Sequence, residues 1–239
     1  LRCADLLSRQ TAPPDAAWFD AALALWLNGG SQPAQCDTVF EALRGAGQLT
    51  TARHLERIEL AAAEHNLGLI RYLARNLPAT QAALAQSYAT YLEAPTQRPT
   101  ASWPVDARHR RIASLGIMRI ARSDPGAAEA LLASLQDRFG FDAALRGEIL
   151  NQIALWSAAS YLPESPQRFA IVPDEAWDAR LHEWHVREAL ARRDDSAALT
   201  AIAKMPAEQR ADPRWRYFQA RLRERADDPK ARELFTALA

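Results

Sequence analysis

Two histidines, His182 and His185, lie three residues apart and flank Trp184. On a helix, this spacing would place both imidazole rings on the same side of a metal ion. No further histidine or cysteine lies near them in the sequence. The pattern therefore favours ordinary surface histidines, and no metal site is predicted.

Acidic residues could form a glycosidase site, which needs two carboxylates flanking the scissile bond. The chain has 29 acidic residues, but none stands in a recognisable catalytic setting. Glu164, within Pro163-Glu164-Ser165-Pro166, is interpreted as a solvated loop acid. The sequence also has no glycine loop for phosphate and no serine elbow, so it predicts no catalytic residue and no cofactor.

An arginine-rich segment near the end of the chain predicts a helix with two different faces. Trp215, Phe218 and Leu222 share one face, which we expect to lie in the core. Arg214, Tyr217 and Arg221 share another face, and we call these three residues the Arg–Tyr–Arg stripe.

The Arg–Tyr–Arg stripe has two interpretations. It could hold sugar rings or carboxylates, since arginine binds carboxylates through two parallel hydrogen bonds. It could also be a solvated face in which Glu224 pairs with a neighbouring arginine. The residues themselves leave both interpretations open, and they favour the second.

The two cysteines, Cys3 and Cys36, both lie near the start of the chain. They could be small buried hydrophobic residues. They could also form a disulfide, since the helices that carry them are one hairpin apart. The sequence alone leaves both alternatives open.

Helices must position these residues. Ala and Leu make up 80 of the 239 residues, whereas only four Val and nine Ile are present. Ala and Leu lose little conformational freedom in a helix, and β-branched residues suit strands. The composition therefore predicts an all-α fold.

The charge balance and the hydropathy argue against a nucleic-acid-binding protein and against a membrane-spanning one. The 29 basic residues equal the 29 acidic ones in number, which argues against nucleic-acid binding. The longest apolar run, from Ala21 to Leu27, is far shorter than the roughly 20 residues that cross a bilayer. No membrane span is predicted.

The periodicity predicts roughly a dozen helices joined mostly by short loops, which favours a right-handed α-solenoid, or superhelix, of antiparallel helix pairs over a compact bundle. Asp-Pro pairs predict helix starts at Asp124, Asp212 and Asp228. The segments Leu162–Pro173 and Glu93–Pro104, with three prolines each, are expected to be irregular.

Several segments resemble one known family. They are Leu25–Phe40 (LWLNGGSQPAQCDTVF), Leu55–Leu60 (LERIEL), Asn66–Leu69 (NLGL) and Trp215–Arg221 (WRYFQAR). In this order they resemble the helical U-domain of bacterial soluble lytic murein transglycosylases. The separation of Cys3 and Cys36 also resembles that of a cysteine pair in the family, so the resemblance implies a disulfide.

The resemblance implies a periplasmic protein that acts on peptidoglycan. The family carries a C-terminal lysozyme-like domain, with a Glu-Ser pair followed by Gly-Leu-Met-Gln and Ala-Tyr-Asn-Ala-Gly motifs. This succession does not occur in the chain, so no catalytic residue is transferred. Residues 1–239 are therefore expected to be one helical domain, a fragment of a larger ring-shaped U-domain.

Two functions remain open. In the first, the chain is a non-catalytic scaffold whose partners are peptidoglycan and the family's own catalytic domain, which forms 1,6-anhydromuramyl products. In the second, it is a free-standing tetratricopeptide-like module that binds a protein.

Overall fold

A computed structural model describes residues 3–9, 14–97 and 100–238. All regular secondary structure within these residues is helical. The contacts within the chain form two units, Leu1–Arg119 and Ile120–Ala239. The expectation of one domain over residues 1–239 stays a prediction.

The first unit is built from seven α-helices and one 3₁₀-helix. They are α1 (Cys3–Ser8), α2 (Ala16–Trp26), the 3₁₀-helix Ala34–Cys36, α3 (Asp37–Gly45), α4 (Thr51–Ala63), α5 (Leu67–Ala74), α6 (Ala79–Glu93) and α7 (Ala107–Ala121), which ends two residues into the second unit.

The second unit continues the same succession. It contains α8 (Pro125–Phe139), α9 (Ala143–Ala159), α10 (Ser165–Ala170), the 3₁₀-helix Asp174–Ala176, α11 (Ala179–Ala191), α12 (Asp195–Lys204), α13 (Ala207–Arg210), α14 (Pro213–Arg225) and α15 (Lys230–Thr236). In this unit α9 packs on α11, α11 on α12, and α12 on α14.

The predicted helix starts agree with the structure at two of three positions. Asp124 and Asp212 are N-caps whose side chains accept hydrogen bonds from Ala127 N and Arg214 N. At the third position, α15 begins only at Lys230, whose N–H donates to Asp228 Oδ1 at 3.0 Å. Asp228 therefore still satisfies a free N–H at the helix start.

One of the two segments expected to be irregular contains a helix. Within Leu162–Pro173, residues Ser165–Ala170 form α10. The proline in this helix lies in its first turn, where its missing N–H removes no intrahelical bond. Between α6 and α7 no regular element is found in residues 94–97 and 100–106, as expected.

Several helices end in the same backbone motif. After α4, α11 and α14 a non-glycine residue takes a left-handed conformation: His65, Arg193 and Asp227. The N–H of the following residue then donates to the carbonyl five residues earlier, at 2.7–3.0 Å, in the pairs Asn66–Ala61, Asp194–Ala189 and Asp228–Arg223. This Schellman ending satisfies carbonyls that the helix leaves free and sends the chain into the next helix.

A disulfide joins Cys3 of α1 to Cys36, with the two Cα atoms 5.1 Å apart. Both residues are buried. The indole of Trp18 also donates to the carbonyl of Leu6 at 2.9 Å. The short helix α1 is therefore held to the first unit by one covalent bond and one buried hydrogen bond.

Replacing both cysteines, by Cys3→Ser with Cys36→Ser, should lower the free energy of unfolding. Closing a loop over a sequence separation of 33 residues is worth about 3–4 kcal/mol in the chain-entropy treatment. Urea unfolding of oxidised, reduced and double-variant protein measures the change. Mass mapping that finds both thiols free in native protein, or equal stability in all three forms, would contradict the prediction.

The core of the second unit surrounds Trp215, which is 2% exposed. The ring packs in a cluster with Leu222 of its own helix, Val186 of α11 and Ile202 of α12, while Phe218 packs against this cluster from outside. The core face predicted from the sequence is therefore confirmed.

Trp215→Ala should lower the free energy of unfolding by about 3–5 kcal/mol, because it leaves a large cavity between three helices. The matched control is Tyr217→Ala on the same helix, which removes a half-exposed ring and should cost within about 0.5 kcal/mol of zero if surface residues behave as usual. Thermal and urea unfolding compare the two variants. Native-like stability of Trp215→Ala would refute the core assignment.

Candidate functional site

The three residues of the Arg–Tyr–Arg stripe all lie on the surface of α14. Tyr217 is 50% exposed, and the side chains of Arg214 and Arg221 are exposed to a similar degree. The ring of Tyr217 packs edge-on against Phe235 of α15, with the centroids 6.2 Å apart. The structure therefore presents the stripe to solvent on one helix face.

Both arginines of the stripe have acidic neighbours. Arg214 Nη1 lies 3.5 Å from Glu183 Oε1, and its guanidinium stacks 4.4 Å from the centroid of the Trp215 ring. Arg221 pairs with Glu224 on its own helix. These are the contacts of a solvated face, and a ligand-binding role of the stripe stays a prediction.

The prediction that His182 and His185 are ordinary surface histidines is wrong. His182 is 8% exposed, and both rings pack on Trp177, at centroid distances of 4.9 and 5.3 Å. His185 also lies 4.5 Å from the ring of Phe169. The spacing that could suit a shared metal ion instead places both imidazoles against aromatic rings from other elements, Trp177 and Phe169.

Burial lowers the pKa of both histidines. Burial, together with the positive charges of Lys204 and Arg192, brings the pKa of His185 down to about 4. The pKa of His182 is also lowered by burial. Within the described ranges, no group of three or more His, Cys, Asp or Glu side chains is arranged to hold a metal ion.

The second unit should lose stability as the pH falls from about 6.5 to about 4. In this range the unfolded chain binds a proton at His185 and the native protein does not, so unfolding takes up a proton and acid favours it. The loss should approach roughly 3 kcal/mol at the lower limit.

Urea unfolding of wild type and His185→Gln across this pH range isolates the contribution of the imidazole, because the carboxylates are common to both. The wild type should lose more stability than the variant. NMR titration of native protein that gave His185 an ordinary pKa near 6.5 would contradict the prediction.

Glu164 has the solvated setting that the sequence predicted. Its side chain is 58% exposed and lies 3.8 Å from Arg168 Nη1. Arg168 itself is bound through two hydrogen bonds to Glu129, at 3.0 and 2.9 Å. Glu164 therefore lies at the edge of the ion pair between Arg168 and Glu129.

A pocket of about 420 Å³ lies in the first unit, where three of the segments quoted above meet. The turn after α2 packs on the turn between α4 and α5. Asn66 Nδ2 donates to the carbonyl of Gly29 and to Ser31 Oγ, both at 3.3 Å. A Cβ atom at Gly29 would lie 2.4 Å from the carbonyl oxygen of Leu60, so this close approach requires glycine.

Arg57 of α4 lines this pocket and is only 3% exposed. Its guanidinium stacks 4.1 Å from the centroid of Trp26 and 5.4 Å from that of Phe40. Its Nε donates to the carbonyl of Asn28 at 3.2 Å. Burial lowers the pKa of Arg57 to about 10, so the group keeps its charge at neutral pH.

The remaining side chains of the pocket place charges of both signs around this arginine. Asp37, Glu41 and Arg44 are exposed residues of the lining, and Tyr72 is 51% exposed. The full lining consists of Trp26, Ser31, Gln32, Asp37, Phe40, Glu41, Arg44, Arg57, Gly68, Leu69 and Tyr72.

No sequence pattern points to Arg57 as a functional residue. It lies inside the quoted segment Leu55–Leu60, but a single arginine among others on an amphipathic helix gives no signal of burial. Its helical position is the signal that could have found it. Arg57 lies three residues after His54 and four residues before Ala61, so it shares a helix face with these two buried residues.

No protein-family model matches the chain. The soluble lytic murein transglycosylase of Salmonella typhimurium is 30% identical over 235 residues, which are 95% of this chain and 36% of that protein. This chain is homologous to soluble lytic murein transglycosylase. It spans little more than a third of the length of the curated relatives that it matches.

Solved structures of lytic transglycosylases agree with this homology. An inactive mutant of the lytic transglycosylase Slt from Pseudomonas aeruginosa matches 99% of this chain with a TM-score of 0.80 and 30% identity. The 70 kDa soluble lytic transglycosylase from Escherichia coli matches 98% with a TM-score of 0.82 and 26% identity. The chain covers 39% of each. The predicted all-α fold is confirmed.

Among the described residues of this transglycosylase homologue, no helix is both long and apolar enough to pass through a bilayer.

Proposed function

We propose that the chain is the non-catalytic helical scaffold of a periplasmic peptidoglycan lytic transglycosylase. It supports the family's catalytic domain and contacts peptidoglycan. The observation that carries this proposal is homology over 95% of the chain to transglycosylases of which it spans 36–39%. The disulfide Cys3–Cys36 fits a protein of the periplasm, because that compartment is oxidising.

The sequence contains one Glu-Ser pair, at Glu164 and Ser165, but no Gly-Leu-Met-Gln or Ala-Tyr-Asn-Ala-Gly motif follows it. Ser165 is fully buried and its hydroxyl lies 3.0 Å from Ser157 Oγ. Glu164 is solvated beside Arg168. These residues support a structural role for the pair.

Contact with peptidoglycan would come most simply from arginine. Muramyl groups and stem peptides carry carboxylates, which a guanidinium binds through two hydrogen bonds. The Arg–Tyr–Arg stripe offers two exposed guanidiniums on either side of a half-exposed ring. A sugar could lie on the ring while the arginines bind acidic groups next to it.

Incubation of this chain with purified sacculi tests the scaffold assignment. We expect the chain to sediment with sacculi and to release no 1,6-anhydromuramyl fragments. Clear release of such fragments would mean that the chain holds an active site. Absence of any binding would favour the alternative, a tetratricopeptide-like module that takes a protein partner.

The stripe is tested by Arg214→Ala with Arg221→Ala. A binding role of the stripe predicts that this double variant weakens binding to sacculi roughly three- to tenfold and reduces its salt dependence, because two exposed charge contacts are removed. The matched control, Arg146→Ala with Arg232→Ala, removes two exposed arginines from other helices of the same unit. Equal binding of both double variants and wild type at low and physiological salt would assign the stripe to ordinary surface.

A further inference from the structure

Arg57 is a buried cation without an acidic partner. Its Nε has an acceptor in the carbonyl of Asn28, but its four terminal N–H groups donate to no residue of the described chain, and no carboxylate of that part of the chain lies within ion-pair distance. A buried charge is costly unless it is paired and hydrogen-bonded. Stacking on Trp26 and Phe40 offsets only part of this cost.

The other buried arginine of the described residues, Arg168, has its charge neutralised by the protein. Arg168, 7% exposed, donates to both carboxylate oxygens of Glu129 and to Ser157 Oγ. Its guanidinium is therefore neutralised within the protein. Arg57 differs because it lines an open pocket and its four terminal N–H groups are unused, as in a ligand-binding arginine.

The pocket selects among anions. Asp37 and Glu41 line it together with Arg44, so the formal charge of its lining, Arg57 included, is zero. A doubly charged phosphate would gain no net attraction from this lining, because the two carboxylates offset the two guanidiniums. A single planar carboxylate matches one guanidinium, and an ammonium group on the same ligand would be attracted by the acidic residues.

We propose that this pocket binds the free carboxylate end of a short peptide, with Arg57 as the residue that holds the carboxylate and Asp37 or Glu41 facing the ligand's amino group. The proposal deepens the proposed function, on which it rests for its ligand class, since the peptides of murein carry such groups. The aromatic rings of Trp26 and Phe40 fix the guanidinium plane, so the arginine is oriented before the ligand arrives.

The probe is the dipeptide D-alanyl-D-alanine, titrated into isotopically labelled chain and followed by NMR at the Arg57 Nε–H and at the backbone amides of Gly68 and Leu69. We expect saturable shifts at these positions. The C-terminal amide of the dipeptide should bind about 10- to 100-fold more weakly, because it lacks the charged acceptor. The N-acetyl dipeptide should lose only about threefold, because it keeps the carboxylate.

Arg57→Gln should reduce dipeptide affinity about 10- to 100-fold, but the substitution could also disturb the packing of Trp26. A steric variant avoids this problem. Gly68 lines the pocket, is exposed, and has no contact nearer than 3.9 Å to an added Cβ. Gly68→Phe should therefore block the pocket and leave the fold intact. The matched control is Gly45→Phe, where an added Cβ meets nothing within 4 Å and the residue lies outside the pocket lining.

The proposal predicts that Gly68→Phe abolishes the dipeptide shifts while Gly45→Phe retains them. Equal binding by the two glycine variants, equal binding of the dipeptide and its amide, full competition by inorganic phosphate, or no shift at any dipeptide concentration would each overturn it. Sedimentation with sacculi is measured in parallel. Sacculus binding without dipeptide binding would contradict only the proposed peptide site in this pocket. Failure to bind sacculi would contradict the proposed function itself.

Discussion

Hydrogen bonds at helix ends are the interactions on which the rest of this structure depends. A chain so rich in Ala and Leu is helical almost everywhere, so what distinguishes one fold from another is where each helix begins and ends. Side-chain oxygens accept from the first free N–H groups at Asp15, Thr50, Asn66, Asp124, Asp142, Asp178, Asp194 and Asp212. Schellman endings satisfy carbonyls at the opposite ends. Together they keep the connections short, so the packed helix pairs are adjacent or next but one in the chain.

The two units solve the problem of buried charge in different ways. In the second unit Arg168 is neutralised by Glu129, and the buried carboxylate of Glu188, 3% exposed, is paired with Arg192. In the first unit Arg57 has aromatic rings and one carbonyl around it, but no acid among the described residues. An ion pair inside a fold adds little net stability, whereas an unpaired buried charge costs stability. This contrast is the physical basis for separating a structural arginine from a binding one.

The aromatic residues show how burial changes the chemistry of a motif. His182 and His185 have a spacing that suits metal ligands, yet in the fold their rings pack on Trp177 and burial disfavours their charged forms. An imidazole that stays neutral in an apolar cluster contributes packing at neutral pH and destabilises the fold in acid. Trp215 contributes packing alone. Its ring is buried between helices, and the guanidinium of Arg214 stacks on it.

The sequence by itself determined the all-α class, most helix positions, the core face at Trp215 and the helix starts at Asp124 and Asp212, because these follow from local propensity and periodicity. It did not determine the left-handed conformation of His65, because only a small fraction of non-glycine residues adopt this conformation. The burial of Arg57 and of His182 was likewise decided by the tertiary structure. Each depends on rings that other segments of the chain supply, and no local pattern states which distant residues will cover a polar side chain.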